Sequence, residues 1–210
     1  MERVAVVILN WNGKPWLERF LPTVIELGSG ARVIVADNGS TDASVTWLRS
    51  THPQVEVIEL KENLGFAGGY NAALAHVGSE MFILLNSDVE VTPGWIDGLL
   101  NYMDAHPTVA ACQPKVLSHT HRDRFEHAGA AGGFIDRNGY PFCRGRIFEL
   151  TEQDTGQYND EREVFWATGA CLMIRGAAFR EGGGFDASLF AHMEEIDLCW
   201  RLRRMGWRIG

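Results

Sequence analysis

Polar residues that could bind a ligand follow three apolar stretches of this chain. Asn10-Trp11-Asn12 comes after the first stretch, Asp37-Asn38-Gly39-Ser40 after the second, and Asn86-Ser87-Asp88 after a later one. If these stretches are parallel strands, their carboxyl ends meet at one edge of a sheet, which is where open α/β sheets bind ligands. The spacing therefore predicts a site of amide and carboxylate side chains at that edge.

Asp37 and Asp88 suit different parts of a nucleotide. Asp37 ends an apolar strand before a glycine-containing turn, so its carboxylate can accept hydrogen bonds from a nucleobase imide or a ribose hydroxyl. The alternative is that Asp37 only caps the turn. Asp88 offers hard oxygen donors, which suit Mg²⁺ or Mn²⁺ bridging two phosphates. Because a lone carboxylate is a poor metal site, we expect the metal to bind together with a diphosphate.

A glycine-rich segment from Asn63 to Asn71 opens a predicted helix. Its first glycine, Gly65, and those that follow let the backbone approach a ligand closely, and a helix N-terminus favours an anion such as a diphosphate. Taken alone this is a weak signal, because glycine-rich helix starts are common.

Glu194 and Glu195 begin the last predicted helix. At 100° per residue, Glu195 shares a face with Leu198 and Leu202, whereas Asp197 lies on the opposite side. An inward-facing glutamate at a helix start could act as a general base. Helix geometry leaves a second interpretation equally open, in which both glutamates merely favour the positive end of the helix dipole.

The elements that must position these groups alternate along the first half of the chain. We predict strands at 3–9, 32–37, 55–60 and 81–86, and helices at 15–27, 43–50, 67–77 and 95–106. Apolar strands separated by helices imply a mostly parallel sheet with right-handed crossovers. Residues 118–160 are predicted to form a long loop region with a short hairpin, order returns at 164–174, and a last helix covers 194–205.

Composition excludes several classes of protein. The 210 residues carry a formal net charge of −8, which argues against electrostatically driven binding of the chain as a whole to DNA, RNA or anionic lipid. No apolar run approaches the roughly 20 residues of a membrane span. The four cysteines, none in a C-x-x-C pair, are predicted to be reduced thiols in a cytosolic protein. Three histidines at 119, 121 and 127 are expected in a solvated loop rather than at a metal.

Taken together, these motifs resemble the family 2 glycosyltransferases, most closely their rhamnosyltransferase-like branch. The resemblance spans nearly the whole chain in the right order. It implies an α/β protein of the GT-A fold, with a Rossmann-like, mostly parallel central sheet flanked by helices and a smaller acceptor-side region. We expect a single domain over residues 1–210, with a nucleotide-sugar half at 1–116 and an acceptor or catalytic half at 117–210.

The resemblance also implies an activity: inverting transfer of a sugar from a nucleotide-diphosphate donor, dTDP-rhamnose or a UDP-sugar. The acceptor would be a saccharide or lipid-linked saccharide in cell-surface polysaccharide synthesis, with Mg²⁺ or Mn²⁺ as cofactor. This leaves open whether the protein works free in the cytoplasm or at the inner face of the cytoplasmic membrane.

The resemblance also implies which residues form the site, by their positions in the matching motifs. Those for the nucleotide and donor are Asn10, Asn12, Asp37, Asn63, Gly65, Asn71, Asn86, Ser87 and Asp88, with Asp88 holding the metal. Trp166, Gly169, Ala170 and Glu194 correspond to the region near the donor sugar and acceptor. Glu195 corresponds to the catalytic base.

This chain departs from the family pattern in three places. The D-x-D motif begins with Asn86, which removes one carboxylate, and the base position holds Glu195 where Asp is usual. Trp207-Arg208-Ile209 predicts the start of another strand, so we expect the domain, and the histidine that often completes the metal site, to extend beyond Gly210.

Other functions remain open from the residues alone. A non-catalytic domain that binds nucleotide-sugars or glycans would also fit Asn86. A sugar nucleotidyltransferase would need a basic, glycine-rich triphosphate loop near the N-terminus, which Lys14 alone does not supply. A dehydrogenase would need G-x-G-x-x-G after the first strand, and this motif is absent from that turn.

Overall fold

The computed structural model describes residues 3–210, and its central feature is a seven-stranded sheet of order β11-β5-β10-β4-β1-β2-β3. The strands of this sheet are β1 (Val4–Asn10), β2 (Arg32–Asp37), β3 (Glu56–Glu59), β4 (Met81–Asn86), β5 (Val109–Cys112), β10 (Cys171–Arg175) and β11 (Arg208–Ile209). All neighbours pair in parallel except β10, which runs antiparallel between β4 and β5. The predicted mostly parallel sheet is therefore confirmed.

Helices cover both faces of this sheet. They are α1 (Lys14–Glu26), α2 (Ser44–Thr51), α3 (Gly65–Leu74), α4 (Trp95–Ala105), α5 (Gly176–Glu181) and α6 (Glu194–Arg204). Helices α1, α2 and α4 pack on one face of the sheet, and α3, α5 and α6 pack on the other. Each face has its own apolar core. The strands are buried on both faces because two helix layers cover them, which explains their nearly unbroken apolar sequences.

The segment predicted to be a long loop is more ordered than its sequence suggests. Residues 133–151 form a second, four-stranded antiparallel sheet of β6 (Gly133–Ile135), β7 (Pro141–Cys143), β8 (Arg146–Ile147) and β9 (Leu150–Thr151). The prediction of a single short hairpin was wrong, because strands of two or three residues are too short to show a periodic pattern.

The last strand of the main sheet comes from the end of the chain. Gly206, whose backbone is left-handed (φ 97°), turns the chain out of α6, and Arg208–Ile209 then pairs with β5, as the terminal sequence predicted. Both predicted halves of the chain contribute to one sheet, because β10 and β11 join strands of the first half. Within residues 3–210, no helix has both the length and the apolar character that crossing a bilayer requires.

Candidate active site

Asn10 and Asp37 meet where β1 and β2 end side by side. The Nδ2 of Asn10 donates to Oδ1 of Asp37 at 3.0 Å and to the Ser40 hydroxyl at 3.2 Å, and both side chains are buried. Asp37 Oδ2 accepts the backbone N–H of Ser40 at 3.0 Å. Asp37 therefore does cap its turn, as the alternative interpretation predicted, and its contact with a base or ribose stays a prediction.

One atom of this pair has no partner. Asn10 Oδ1 is buried and accepts no hydrogen bond from any residue that the structure describes. It lies against Gly13, where an added Cβ would come within 2.5 Å of it and 3.7 Å of the Ser87 hydroxyl. Buried acceptors are normally satisfied, so this oxygen marks a place where a ligand donor could bind.

Asn12 holds the turn that follows β2. Its backbone is left-handed (φ 50°), and its Oδ1 accepts the backbone N–H groups of Thr41 at 2.7 Å and Asp42 at 3.2 Å. The N–H of Asn12 in turn donates to the Ser40 hydroxyl at 2.8 Å. Asn12 thus joins the ends of β1 and β2, which fixes the shape of the edge where a nucleotide is predicted to lie.

The glycine-rich helix start is occupied by the protein itself. The Phe190 carbonyl accepts the backbone N–H groups of Phe66 at 2.7 Å and Ala67 at 3.2 Å, and Asn63 Oδ1 accepts that of Gly65 at 2.9 Å. Asn63 also accepts from the Asn38 amide at 2.9 Å. The backbone N–H groups of Gly65, Phe66 and Ala67 are therefore already bonded, two of them to the loop at residues 190–193, called here the 190s loop. A diphosphate at the N-terminus of α3, as the sequence predicted, would have no free N–H group to bind there.

Asn71 also has protein partners. Its amide donates to the Phe185 carbonyl at 2.8 Å and its Oδ1 accepts the Phe185 N–H at 2.9 Å. This paired contact holds the loop before α6 against α3. Asn71 thus positions the segment that leads to Glu195, and a direct contact of Asn63 or Asn71 with a donor stays a prediction.

Asn86, Ser87 and Asp88 lie at the sheet edge as predicted. The Asn86 N–H donates to the Ala170 carbonyl at 3.0 Å, which brings the end of β4 next to the start of β10. Asp88 is exposed, whereas Asn86 and Ser87 are partly buried. In residues 3–210, no three His, Cys, Asp or Glu side chains are grouped closely enough to hold a metal ion.

The segment from Trp166 to Ala170 links the two sheets and lies beside the start of α6. Trp166 is buried over Gly133 and its indole N–H donates to the Phe134 carbonyl at 3.0 Å. Gly169 lies against the ring of Phe66, where an added Cβ would be 3.2 Å away. The backbone N–H of Gly169 lies beside the Glu195 carboxyl group.

Glu194 and Glu195 are both enclosed at the start of α6. Glu194 is 4% exposed, Glu195 is partly buried, and the Oε2 atom of each is buried with no hydrogen-bond partner among the described residues. Burial raises the pKa of Glu195 to about 7, although the backbone N–H groups of Glu195 and Gly169 favour its charged form. Burial also raises the pKa of Glu194.

The surroundings of Glu195 differ from those of Asp197, two residues further along the helix. Asp197 accepts from Arg201 at 2.7 Å in an i,i+4 ion pair, and both side chains are about one-third exposed. A buried carboxylate without a partner is destabilised relative to its acid form. The environment of Glu195 therefore suits proton transfer near neutral pH, which a simple interaction with the helix dipole does not explain.

A well-formed cavity lies apart from these residues. It has a volume of about 430 Å³ and lies between α4 and the loops around Lys115, Arg144 and Tyr158. None of the predicted site residues lines it.

Two site contacts were missed from the sequence. The Ser40 hydroxyl joins Asn10 and Asn12, and the Phe190 carbonyl caps α3. Ser40 was noted only as the last of the polar residues after the second strand, and a better signal was its place three residues after Asp37. Phe190 acts through its backbone, so its residue type carried no signal.

Solved structures with this fold are GT-A glycosyltransferases. A mannosyltransferase from Pyrobaculum calidifontis, PcManGT in complex with GDP-Man and Mn²⁺, superposes with a TM-score of 0.69 at 19% identity, over 99% of this chain and 54% of that one. GalNAc-T7 with UDP, GalNAc and Mn²⁺ gives a TM-score of 0.74 at 16% identity, over 100% and 42%. The chain thus has the GT-A fold.

The family follows from sequence comparison. The model of "Glycosyl transferase family 2" matches residues 5–183, and the chain belongs to this family. It is 30% identical to an N-acetylglucosaminyl-diphospho-decaprenol L-rhamnosyltransferase of Mycobacterium tuberculosis, over 97% of this chain and 71% of that protein. It is 28% identical to the pre-mycofactocin glycosyltransferase of the same organism, over 98% and 40%. The chain spans about half the length of the solved structures it matches.

Proposed function

We propose that this protein transfers a sugar from a nucleotide-diphosphate donor to a saccharide or lipid-linked saccharide acceptor, with inversion at the anomeric carbon. The observation that carries the proposal is Glu195, whose Oε2 is buried without a partner at the start of α6 and whose pKa is raised to about 7 by burial. In a member of this family, such a carboxyl group is suited to accept a proton from an acceptor hydroxyl.

The proposed reaction is a single in-line displacement. Glu195 removes the proton of the acceptor hydroxyl while that oxygen forms a bond to the anomeric carbon. The bond between the anomeric carbon and the diphosphate oxygen breaks on the opposite face, and the nucleoside diphosphate leaves with the electron pair. A base with a pKa near 7 holds the proton without binding it too tightly to release it at neutral pH.

The ends of β1 and β2 are proposed to bind the nucleoside. The unpartnered Asn10 Oδ1 can accept a hydrogen bond from a base imide or a ribose hydroxyl. Asp37 fixes the Asn10 amide, and Asn12 fixes the adjoining turn. A rigid, prearranged edge of this kind lowers the entropy cost of binding a flexible donor.

The end of β4 is proposed to hold the divalent cation, Mg²⁺ or Mn²⁺, together with the diphosphate. Asp88 is exposed and offers a carboxylate, and Asn86 offers an amide oxygen, so the donor set is oxygen-based as these ions require. Two protein ligands fit a cation that takes its other ligands from phosphate and water. When bound, the cation would neutralise the charge that develops on the leaving diphosphate.

The name of the rhamnosyltransferase relative supports a finer proposal for substrates. We place dTDP-rhamnose first as donor and a UDP-sugar second, with a polyprenyl-diphosphate saccharide as the acceptor class. Such an acceptor lies in a membrane, so the protein would work at the inner face of the cytoplasmic membrane in the synthesis of a cell-surface polysaccharide.

Thermal shift measurements with UDP, dTDP and GDP, each with and without Mn²⁺, test the donor site. We expect a metal-dependent rise in Tm with at least one nucleotide, because ligands that bind only the native state stabilise it. Asp88→Asn should remove the metal-dependent part of the rise.

Glu90→Gln is a matched control, since Glu90 is an exposed carboxylate two residues further along that pairs with Arg122. It should leave the nucleotide-induced shift unchanged. Equal nucleotide responses in Asp88→Asn and the wild type would contradict the proposed metal position.

A further inference from the structure

The small sheet carries an apolar face on which Phe142, Ile147 and Leu150 are about half exposed or more, while Phe134 is partly buried against the main core. Phe134 pairs with Phe142 across β6 and β7, and Ile147 pairs with Leu150 across β8 and β9. Cys143, which is buried, pairs with Arg146 on the other face. Because side chains alternate along a strand, the four apolar residues form one row on the outer face.

This row is unusually exposed. Phe142 is 49% exposed, Ile147 is 65% exposed and Leu150 is 77% exposed. Tyr140, two residues before Phe142 and 69% exposed, extends the same face. Single exposed apolar residues are normal, but a contiguous group of them marks a surface that binds something.

The end of the sheet strengthens this observation. In an antiparallel order β6-β7-β8-β9, the first and third turns lie at the same end, so the turns near Tyr140 and Phe148 project together. Phe148 is 85% exposed and has a left-handed backbone (φ 52°). That conformation normally belongs to glycine or asparagine. A bulky aromatic side chain there strains the backbone and leaves a large apolar surface in contact with water. An arrangement that is unfavourable in both respects indicates a function.

Cationic side chains lie next to this end of the sheet. A shallow groove below the first turn is lined by three arginines (Arg137, Arg203 and Arg204), by Trp200 and by one carboxylate, Asp136. Arg203 pairs with Glu163, whereas Arg137 and Arg204 form no ion pair with any residue that the structure describes. The segment 133–151 holds three arginines against two carboxylates, in a chain whose net charge is −8. Its charge thus opposes that of the protein as a whole.

We propose that the outer face and turns of the β6–β9 sheet form a docking surface for an anionic phospholipid bilayer. Exposed aromatic and aliphatic side chains beside arginines are the combination that interfacial proteins present to headgroups. The inference rests on the proposed function in one respect, that a lipid-linked acceptor brings the enzyme to a membrane. The groove lined by Trp200 lies on α6, the helix whose first turn holds Glu195, so docking here would bring that helix close to the headgroups.

Vesicle flotation tests this surface without donor or acceptor. Wild-type protein should float with vesicles of phosphatidylcholine and phosphatidylglycerol. The double variant Phe148→Ser, Leu150→Ser should lower the partition coefficient by ~10-fold or more, because two large apolar side chains are lost from the interface. Both residues are at least three-quarters exposed, so the variant should keep its fold. Arg137→Gln with Arg204→Gln should weaken binding to the anionic vesicles and leave the weaker binding to pure phosphatidylcholine unchanged.

Trp16→Ser is the matched control, since Trp16 is 48% exposed on α1, away from the small sheet. It should float like the wild type. Absence of flotation by the wild type, or equal flotation by the Phe148→Ser, Leu150→Ser variant, would overturn the proposal. A wild-type dimer in light scattering that this variant converts to a monomer would also overturn it, in favour of a second copy as the occupant.

Failure of the proposed function is distinguishable from failure of this surface. Transfer to a water-soluble acceptor needs no bilayer, and flotation needs no transfer. A protein that floats but transfers no sugar would contradict the proposed function alone, and one that transfers but does not float would contradict the docking surface alone.

Discussion

Asn10 and Asp37 end neighbouring strands and are joined by a 3.0 Å hydrogen bond between the Asn10 amide and the Asp37 carboxylate. The contact is buried and leaves Asn10 Oδ1 as an unpartnered acceptor among the described residues. The two side chains therefore have different roles. Asp37 fixes the orientation of the Asn10 amide, and the unpartnered Asn10 Oδ1 lies at the edge where a nucleotide is proposed to bind.

The first prediction concerns Asp37 itself. Asp37→Ala leaves the Asn10 amide and the Ser40 N–H without their acceptor, which should lower the free energy of unfolding by about 1–3 kcal/mol. Urea unfolding measures the loss. Glu59→Gln is the control, because Glu59 ends the neighbouring strand β3 but is exposed. It should change stability by under ~0.5 kcal/mol. Similar losses in the two variants would contradict the role given to Asp37.

The second prediction concerns Gly65, where α3 meets the 190s loop. Gly65 has a left-handed backbone (φ 72°), and an added Cβ would lie 2.6 Å from the Phe190 carbonyl oxygen. Gly94 has a similar backbone (φ 76°), but an added Cβ would contact nothing within 4 Å. Gly65→Ala should therefore cost more than Gly94→Ala, which pays only the conformational cost of about 1 kcal/mol.

Chemical denaturation of both glycine variants gives the comparison. Hydrogen exchange of the Phe66 and Ala67 amides should also accelerate in Gly65→Ala, because both donate to the Phe190 carbonyl. Equal stability and unchanged exchange would show that the loop does not cap α3 in solution.

Much of the fold could be predicted because the main strands are long and apolar. The strands that end at Asp37 and Asn86 were located from their sequences to the residue at which each ends. The small sheet could not be predicted, since its strands are two or three residues long and turn apolar residues such as Ile147 and Leu150 outward. Predicting strands from hydrophobic patterns assumes that apolar residues are buried, and that assumption fails where apolar residues face outward.

The candidate site was predicted in part, for a similar reason. Polar residues at strand ends could be found from position alone, and the structure gathers Asn10 and Asp37 at one edge. Asn63 and Asn71 were assigned to the donor, but each is bound to the protein's own backbone. Sequence spacing locates a polar group but not its partner, and the partner of Asn71, Phe185, lies in a loop 114 residues further along the chain.

The third prediction concerns the pH dependence of stability. Burial raises the pKa of Glu195 from its ordinary 4.5 to about 7, so the native state binds a proton more tightly than the unfolded state. Between these two pH values the native state holds more protons, and stability should therefore fall as pH rises from 4.5 to 7 and level off above. The full effect for a shift of this size is about 3 kcal/mol.

Urea unfolding of the wild type and Glu195→Gln across pH 4.5–7 isolates this contribution. The difference in stability should grow in favour of the variant as pH rises, because Gln cannot ionise. Glu194, whose pKa is also raised by burial, is present in both proteins, and carboxyl groups with a lowered pKa, such as Asp154 beside Lys115, act at more acidic pH in both. A difference that stays constant over this range would show that Glu195 titrates normally.

The central claim is that Glu195 is the base in glycosyl transfer. The most direct measurement is sugar transfer and nucleotide binding by Glu195→Gln, with Asp197→Asn on the same helix as the control. We predict that Glu195→Gln reduces transfer by ~10²-fold or more while nucleotide affinity stays within a few-fold of the wild type, and that Asp197→Asn keeps most of the activity. Wild-type rates of transfer by Glu195→Gln would contradict the account.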